Sequence, residues 1–150
     1  MRSCAMSMFM AIFLGVAIAA QTPSQPTSNA FDEQAASRLL LQLSEALQGH
    51  SQKQFLALFN LDMMKDGALF KQQINSFFSQ TESIRVHLNL VDTSVDGDKA
   101  SITVDAEMEA QPGNGGAPTR RNERLNRVVA NGGNSWKVVE VQPRSFFSLQ

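Results

Sequence analysis

Arg120, Arg121, Glu123, Arg124 and Arg127 crowd into one short stretch of this 150-residue chain. An arginine offers a planar fork of donors that suits a carboxylate or a phosphate. Elsewhere the groups capable of acid–base work are scattered. His50 and His87 are the two histidines, and one well-placed imidazole can act as a base near neutral pH. His50 follows a helical stretch, where it caps carbonyls or faces water. His87 has the polar parity of a strand, which directs it to an outer face. Asp62 falls in a break between helices, where a turn or cap role is the simpler one. Asp92, Asp96 and Asp98 flank a hairpin turn but lack the ligand positions and distal Glu of a calcium loop. No Cys/His spacing suits zinc, and the Gly-x-Ser-x-Gly elbow is absent. Pro112-Gly113-Asn114-Gly115-Gly116 runs into Ala117-Pro118, where a phosphate loop needs Lys and a hydroxyl. No catalytic residue, metal ligand or cofactor is assigned.

The elements that must position these groups read clearly. Ala36, Leu39, Leu40, Leu43, Ala46 and Leu47 recur at helical spacing, with Gly49 as the stop. Ser51-Gln52-Lys53-Gln54 resembles a capping box opening a short second helix with Phe55, Leu56 and Phe59. After a break at about 62–67, Phe70, Ile74, Phe77 and Phe78 form the buried face of a third helix. From Ser83 the period drops to two. Ile84, Val86, Leu88 and Leu90 alternate with polar residues. Beyond the Asp96-Gly97 turn, Ala100, Ile102, Val104, Ala106 and Met108 do the same. A Gly/Pro-rich loop at 111–118 leads to a third strand over 120–130. Asn131-Gly132-Gly133-Asn134 then turns the chain into a fourth strand over 136–143. Helices first and an antiparallel meander after them predict an α+β fold, with the helices covering the apolar face of a four-stranded sheet.

Register follows from matching charge and apolar patterns across the loops. Asp105 beside Arg124 sets Glu109 opposite Arg120 on one face. The same register places Val104 opposite Leu125 and Ala100 opposite Val129 on the other. Arg121, Glu123 and Arg127 then share that apolar, inner face. Carried through the 131–134 turn, it sets Val129 beside Trp136, Arg127 beside Val138 and Glu140 opposite Leu125. Glu123, Arg127, Trp136 and Glu140 are therefore the candidate ligand-binding residues, bordered by Leu125 and Val138. A structural salt-bridge cluster at the open end of the sheet is the simpler alternative.

The N-terminus has the form of a secretory leader. Arg2 precedes an apolar run over 6–17, and Ala17-Ile18-Ala19 supplies small residues before a cleavage point near Ala20 or Gln21. The run is short for a membrane span, which needs about 20 apolar residues. The expected organisation is a signal peptide over 1–20, a polar Pro-containing linker over 21–30 and one domain over 31–150, exported to the periplasm or secreted. No stable membrane anchor remains after cleavage. The one cysteine, Cys4, leaves with the leader, so the mature chain has no disulfide. Without Arg2, 12 of the 13 basic residues stand against 14 acidic ones. That balance argues against nucleic-acid binding.

The order of elements, Phe77-Phe78, Ile84-Arg85-Val86-His87, Trp136-Lys137-Val138-Val139-Glu140 and Gln142-Pro143-Arg144-Ser145-Phe146-Phe147 together resemble the nuclear transport factor 2-like superfamily, with its SnoaL-like and ketosteroid-isomerase-like members. The likeness is greatest to exported bacterial proteins. It implies a curved sheet wrapped around helices into a cone with a pocket. The fold hosts isomerases, dehydratases, hydrolases and non-catalytic binders. The isomerase members pair a carboxylate base with a tyrosine-containing oxyanion hole, and this chain has no tyrosine. The expectation is a non-catalytic module for a small-molecule ligand or a protein partner, with room for a homodimer. The alternative is a cone-fold enzyme using Asp62 or His87 as base.

Overall fold

The computed structural model describes residues 30–149. The expected leader and residues 21–29 of the linker lie outside the described residues. Three helices come first: α1 (Glu33–Gln48), α2 (Gln52–Ala57) and α3 (Gly67–Gln80). Four strands follow: β1 (Thr81–Asp96), β2 (Lys99–Pro112), β3 (Thr119–Asn131) and β4 (Trp136–Gln142). A short 3-10 helix, Arg144–Phe147, comes last. No helix among the described residues is long and apolar enough to cross a membrane.

The helix ends have local causes. Asp32 caps α1, its Oδ1 accepting from the Ala35 amide at 2.7 Å. Ser51 occupies the N-cap of α2 but makes no side-chain capping bond, so the expected capping box does not form. α3 opens on Asp66 in the left-handed region (φ 57°). Gly67 follows because a Cβ there would lie 2.0 Å from the Leu61 carbonyl oxygen. The break before α3 is used. Leu58 and Asn60 exchange backbone hydrogen bonds with Val138, docking this segment on the edge of β4. At its far end α3 passes directly into β1. The Thr81 hydroxyl donates to the carbonyls of Phe77 and Phe78 and so ends the helix.

The sheet is an antiparallel meander in the order β1-β2-β3-β4, curved around the helices. Phe70, Ile74, Phe77 and Phe78 are buried together with Ile84, Val86, Ile102 and Val104, as the periodicities require. β1 runs farther than its alternation, through a bulge between Leu90 and Asp92 that leaves Val91 exposed. The β2–β3 register is the expected one, with Asp105 opposite Arg124, Glu109 opposite Arg120, Val104 opposite Leu125 and Ala100 opposite Val129.

The β3–β4 register differs from expectation. Asn131 pairs with Trp136 and Val129 with Val138, because the turn occupies Gly132 to Ser135, one residue later than the expected 131–134. A bulge then leaves Val139 unpaired, so that Val128 faces Glu140 and Arg127 faces Val141. An unbroken ladder from Val129–Val138 would have set Glu140 opposite Arg127. The extra residue reverses the parity of the strand end. Val141 turns inward and is fully buried, while Glu140 turns to solvent.

The last segment completes the core. Beyond Gln142-Pro143, a cis peptide bond, the 3-10 helix folds back and buries Phe146 and Phe147 in the core. The Phe147 ring lies 5.5 Å from Phe55 and 6.2 Å from both Phe70 and Phe77, centroid to centroid.

Candidate ligand site

Arg127 sits in the middle of β3 on the face that also carries Leu125 and Val129. Its cross-strand neighbours are Ile102 on β2 and Val141 on β4, both fully buried. Only 1% of the residue is exposed, and its Nε and Nη1 are buried with no hydrogen-bond partner among the described residues. Burial alone lowers its pKa from the ordinary arginine range to about 10, and no carboxylate among the described residues raises it. The side chain stays protonated at neutral pH. Holding that charge in the interior costs roughly 3 kcal/mol at about 1.4 kcal/mol per unit. Buried donors are otherwise nearly always paired.

The other candidate residues do not surround it. Glu123 shares the inner face of β3, but it lies four residues toward the open end, about 13 Å along the strand. There it approaches Arg121, with Nη1 to Oε1 at 3.5 Å. Arg121 also donates from Nε to the Ser148 carbonyl at 3.1 Å and from Nη2 to the Ser148 hydroxyl at 3.3 Å. Trp136 stands opposite Asn131, a similar distance the other way, with its ring 4.9 Å from Phe31. Glu140 faces solvent and accepts from Gln142 Nε2 at 2.6 Å. The expected inward triad of Glu123, Arg127 and Glu140 is therefore not assembled. The Val139 bulge takes Glu140 out of it, and Arg121 engages Glu123.

The acid–base candidates are likewise apart. His87 is exposed on the outer sheet face opposite Glu107. It lines an open cleft of about 460 Å³ with Arg85, Glu109 and Arg120. Glu109 bridges those two arginines, at 3.4 Å from Arg85 and 2.6 Å from Arg120. Asp62 is exposed beside Asn60 and Lys137. His50 hydrogen-bonds through Nε2 to the Thr81 carbonyl at 2.8 Å and stands edge-on to Phe78, which makes it a brace between α1 and the start of β1. Among the described residues no group of three or more His, Cys, Asp and Glu could hold a metal ion.

Two features of this site escape sequence reasoning. The Val139 bulge follows from no residue preference visible in Val138-Val139-Glu140-Val141. The inward fold of Phe146 and Phe147 has a signal, two adjacent aromatics after a proline, but only the structure places them against α3.

No family model matches the sequence, and no curated protein matches it. Solved structures resemble the fold. A nuclear transport factor 2-like superfamily protein from Salmonella enterica superposes with a TM-score of 0.64 at 15% identity, over 72% of this chain and 86% of that one. A proposed dehydratase of the same family from Streptomyces avermitilis gives 0.60 at 15%, over 72% and 91%. A proposed aromatic ring hydroxylase from Novosphingobium aromaticivorans gives 0.64 at 17%, over 72% and 84%. The chain has the nuclear transport factor 2-like cone fold.

Proposed function

We propose that this is an exported, non-catalytic binding module whose cone takes a small anionic molecule, with Arg127 as the anchor. One observation carries the reading: a buried, protonated guanidinium whose Nε and Nη1 have no partner among the described residues. A charge left so at a standing cost is expected where a ligand supplies the counter-charge. The names dehydratase and hydroxylase belong to structural neighbours of low identity. The base that such chemistry would need is not favoured here, since Asp62 and His87 are both exposed. Export rests on the charged start, the apolar run and the alanines at its end.

Native mass spectrometry of the protein recovered from a periplasmic expression tests both parts. The expected result is a mature N-terminus near Ala20 or Gln21 and a co-purifying anion that Arg127→Met loses. An intact Met1 would overturn export, and an adduct retained in full by Arg127→Met would overturn the anchor.

A further inference from the structure

Arg127 is 1% exposed, so a ligand that reaches its guanidinium must displace something. The C-terminal segment is the element placed to move. It leaves the sheet at Gln142, opposite Asn126, and arrives at Ser148 beside Arg121. Its two ends thus lie along β3, one at the residue beside Arg127 and the other at the open end. It belongs to no strand and inserts two aromatic rings among Phe55, Phe70 and Phe77. Among the described residues, the hydrogen bonds that tie it to other elements all involve a side chain. Gln73 Nε2 donates to the carbonyls of Arg144 at 2.8 Å and Phe147 at 3.3 Å, Arg144 Nη2 donates to the Lys65 carbonyl, and Arg121 holds Ser148.

Building on the anion-binding reading above, we propose that the cone takes an amphiphilic monocarboxylate, which displaces the segment Arg144–Leu149 and puts its carboxylate on Arg127. The vacated space is that of Phe146 and Phe147, so the replacing body must be apolar and of like size, on the order of ten to fourteen carbons. A single buried guanidinium balances a single negative charge. A phosphate dianion would carry an unbalanced charge into apolar surroundings. The segment acts as a stand-in for the ligand's hydrocarbon, and Arg127 waits for its headgroup.

The test uses the full chain with decanoate, decanol, acetate and inorganic phosphate as probes. Decanoate should bind at least about tenfold tighter than decanol, since a charged hydrogen bond is at stake, and Arg127→Met should erase that difference. Gln73→Leu, which removes two ties of the segment, should raise the decanoate association rate about tenfold. In the unmodified protein, saturation with decanoate should speed amide exchange at Phe146 and Ser148. Suppose decanoate binds through Arg127 while exchange at those amides is unchanged and Gln73→Leu has no effect. The displacement is then wrong and the anion-binding reading stands. Acetate or phosphate binding through Arg127 as tightly as decanoate would overturn the ligand class alone. If no probe distinguishes the wild type from Arg127→Met, both readings fall.

Discussion

Arg124 and Arg127 lie three residues apart on one strand and meet opposite fates. Arg124 faces out, where Asp105 accepts from its Nε at 2.7 Å and its Nη2 at 3.1 Å. That hydrogen bond, with the attraction of the opposite charges, raises the arginine's pKa and lowers the aspartate's. Water surrounds both groups. Arg127 faces in, between Ile102 and Val141, and burial pulls its pKa down. An odd spacing on a strand reverses the face, and the face decides whether an arginine is a solvated ornament or an uncompensated charge. A surface pair such as Arg124–Asp105 is worth little to stability and is screened by salt. An interior charge is costly unless something binds it.

The contrast can be broken by supplying the missing partner. Val141→Glu sets a carboxylate opposite Arg127, where an unbulged strand would have put Glu140. In the wild-type background it should cost little and should abolish anion binding. In the Arg127→Met background the same carboxylate is buried without a partner and should cost about 3–5 kcal/mol. Urea unfolding of the four proteins in this cycle measures the coupling, and additive effects would mean that the two side chains do not meet. Next in size, Phe147→Ala should cost about 3–5 kcal/mol through the cavity it leaves, at the upper end only if the 3-10 segment cannot collapse into it. An unchanged melting temperature would show that the segment is not part of the core in solution. The smallest effect belongs to the outer face. Arg124→Met should leave the melting temperature within error at physiological salt. The lowered pKa of Asp105 makes its contribution present above the unfolded value of 3.8 and lost as pH falls below it. Any difference between Arg124→Met and the wild type should therefore vanish in acid, and it should also fade in high salt. A difference that survives both conditions would contradict the solvated reading.

Legibility differs across the sheet in the same way as the two arginines do. The pairing of β2 with β3 can be read from sequence because two independent patterns, charge on one face and apolar residues on the other, agree on a single register. The pairing of β3 with β4 offers no such check. Trp136-Lys137-Val138-Val139-Glu140-Val141 is apolar on both parities at its centre, so a bulge at Val139 costs no burial and leaves no trace. The candidate site inherits this. Arg127 is correctly placed inside because it hangs on the well-determined β2–β3 register. Glu140 and Trp136 are displaced because they hang on the other. The helices are legible from their stripes, whereas the missing cap bond at Ser51 and the placement of Phe146 and Phe147 against α3 depend on tertiary contacts.

Arg127 is buried with no partner for its Nε and Nη1 among the described residues. Denaturant unfolding of Arg127→Met against the wild type at pH 7, without added ligand, tests it most directly. The substitution keeps most of the apolar stem and removes the charge. The mutant should be more stable by about 1–3 kcal/mol, since it no longer carries the cost of the buried charge. Burial holds the folded-state pKa at about 10, below the ordinary arginine range, so that cost is complete below pH 10 and is relieved as pH rises above it. The gap between the two proteins should narrow over that window. A mutant less stable than the wild type at pH 7 would mean that Arg127 has a partner in the folded protein, and the account would be wrong.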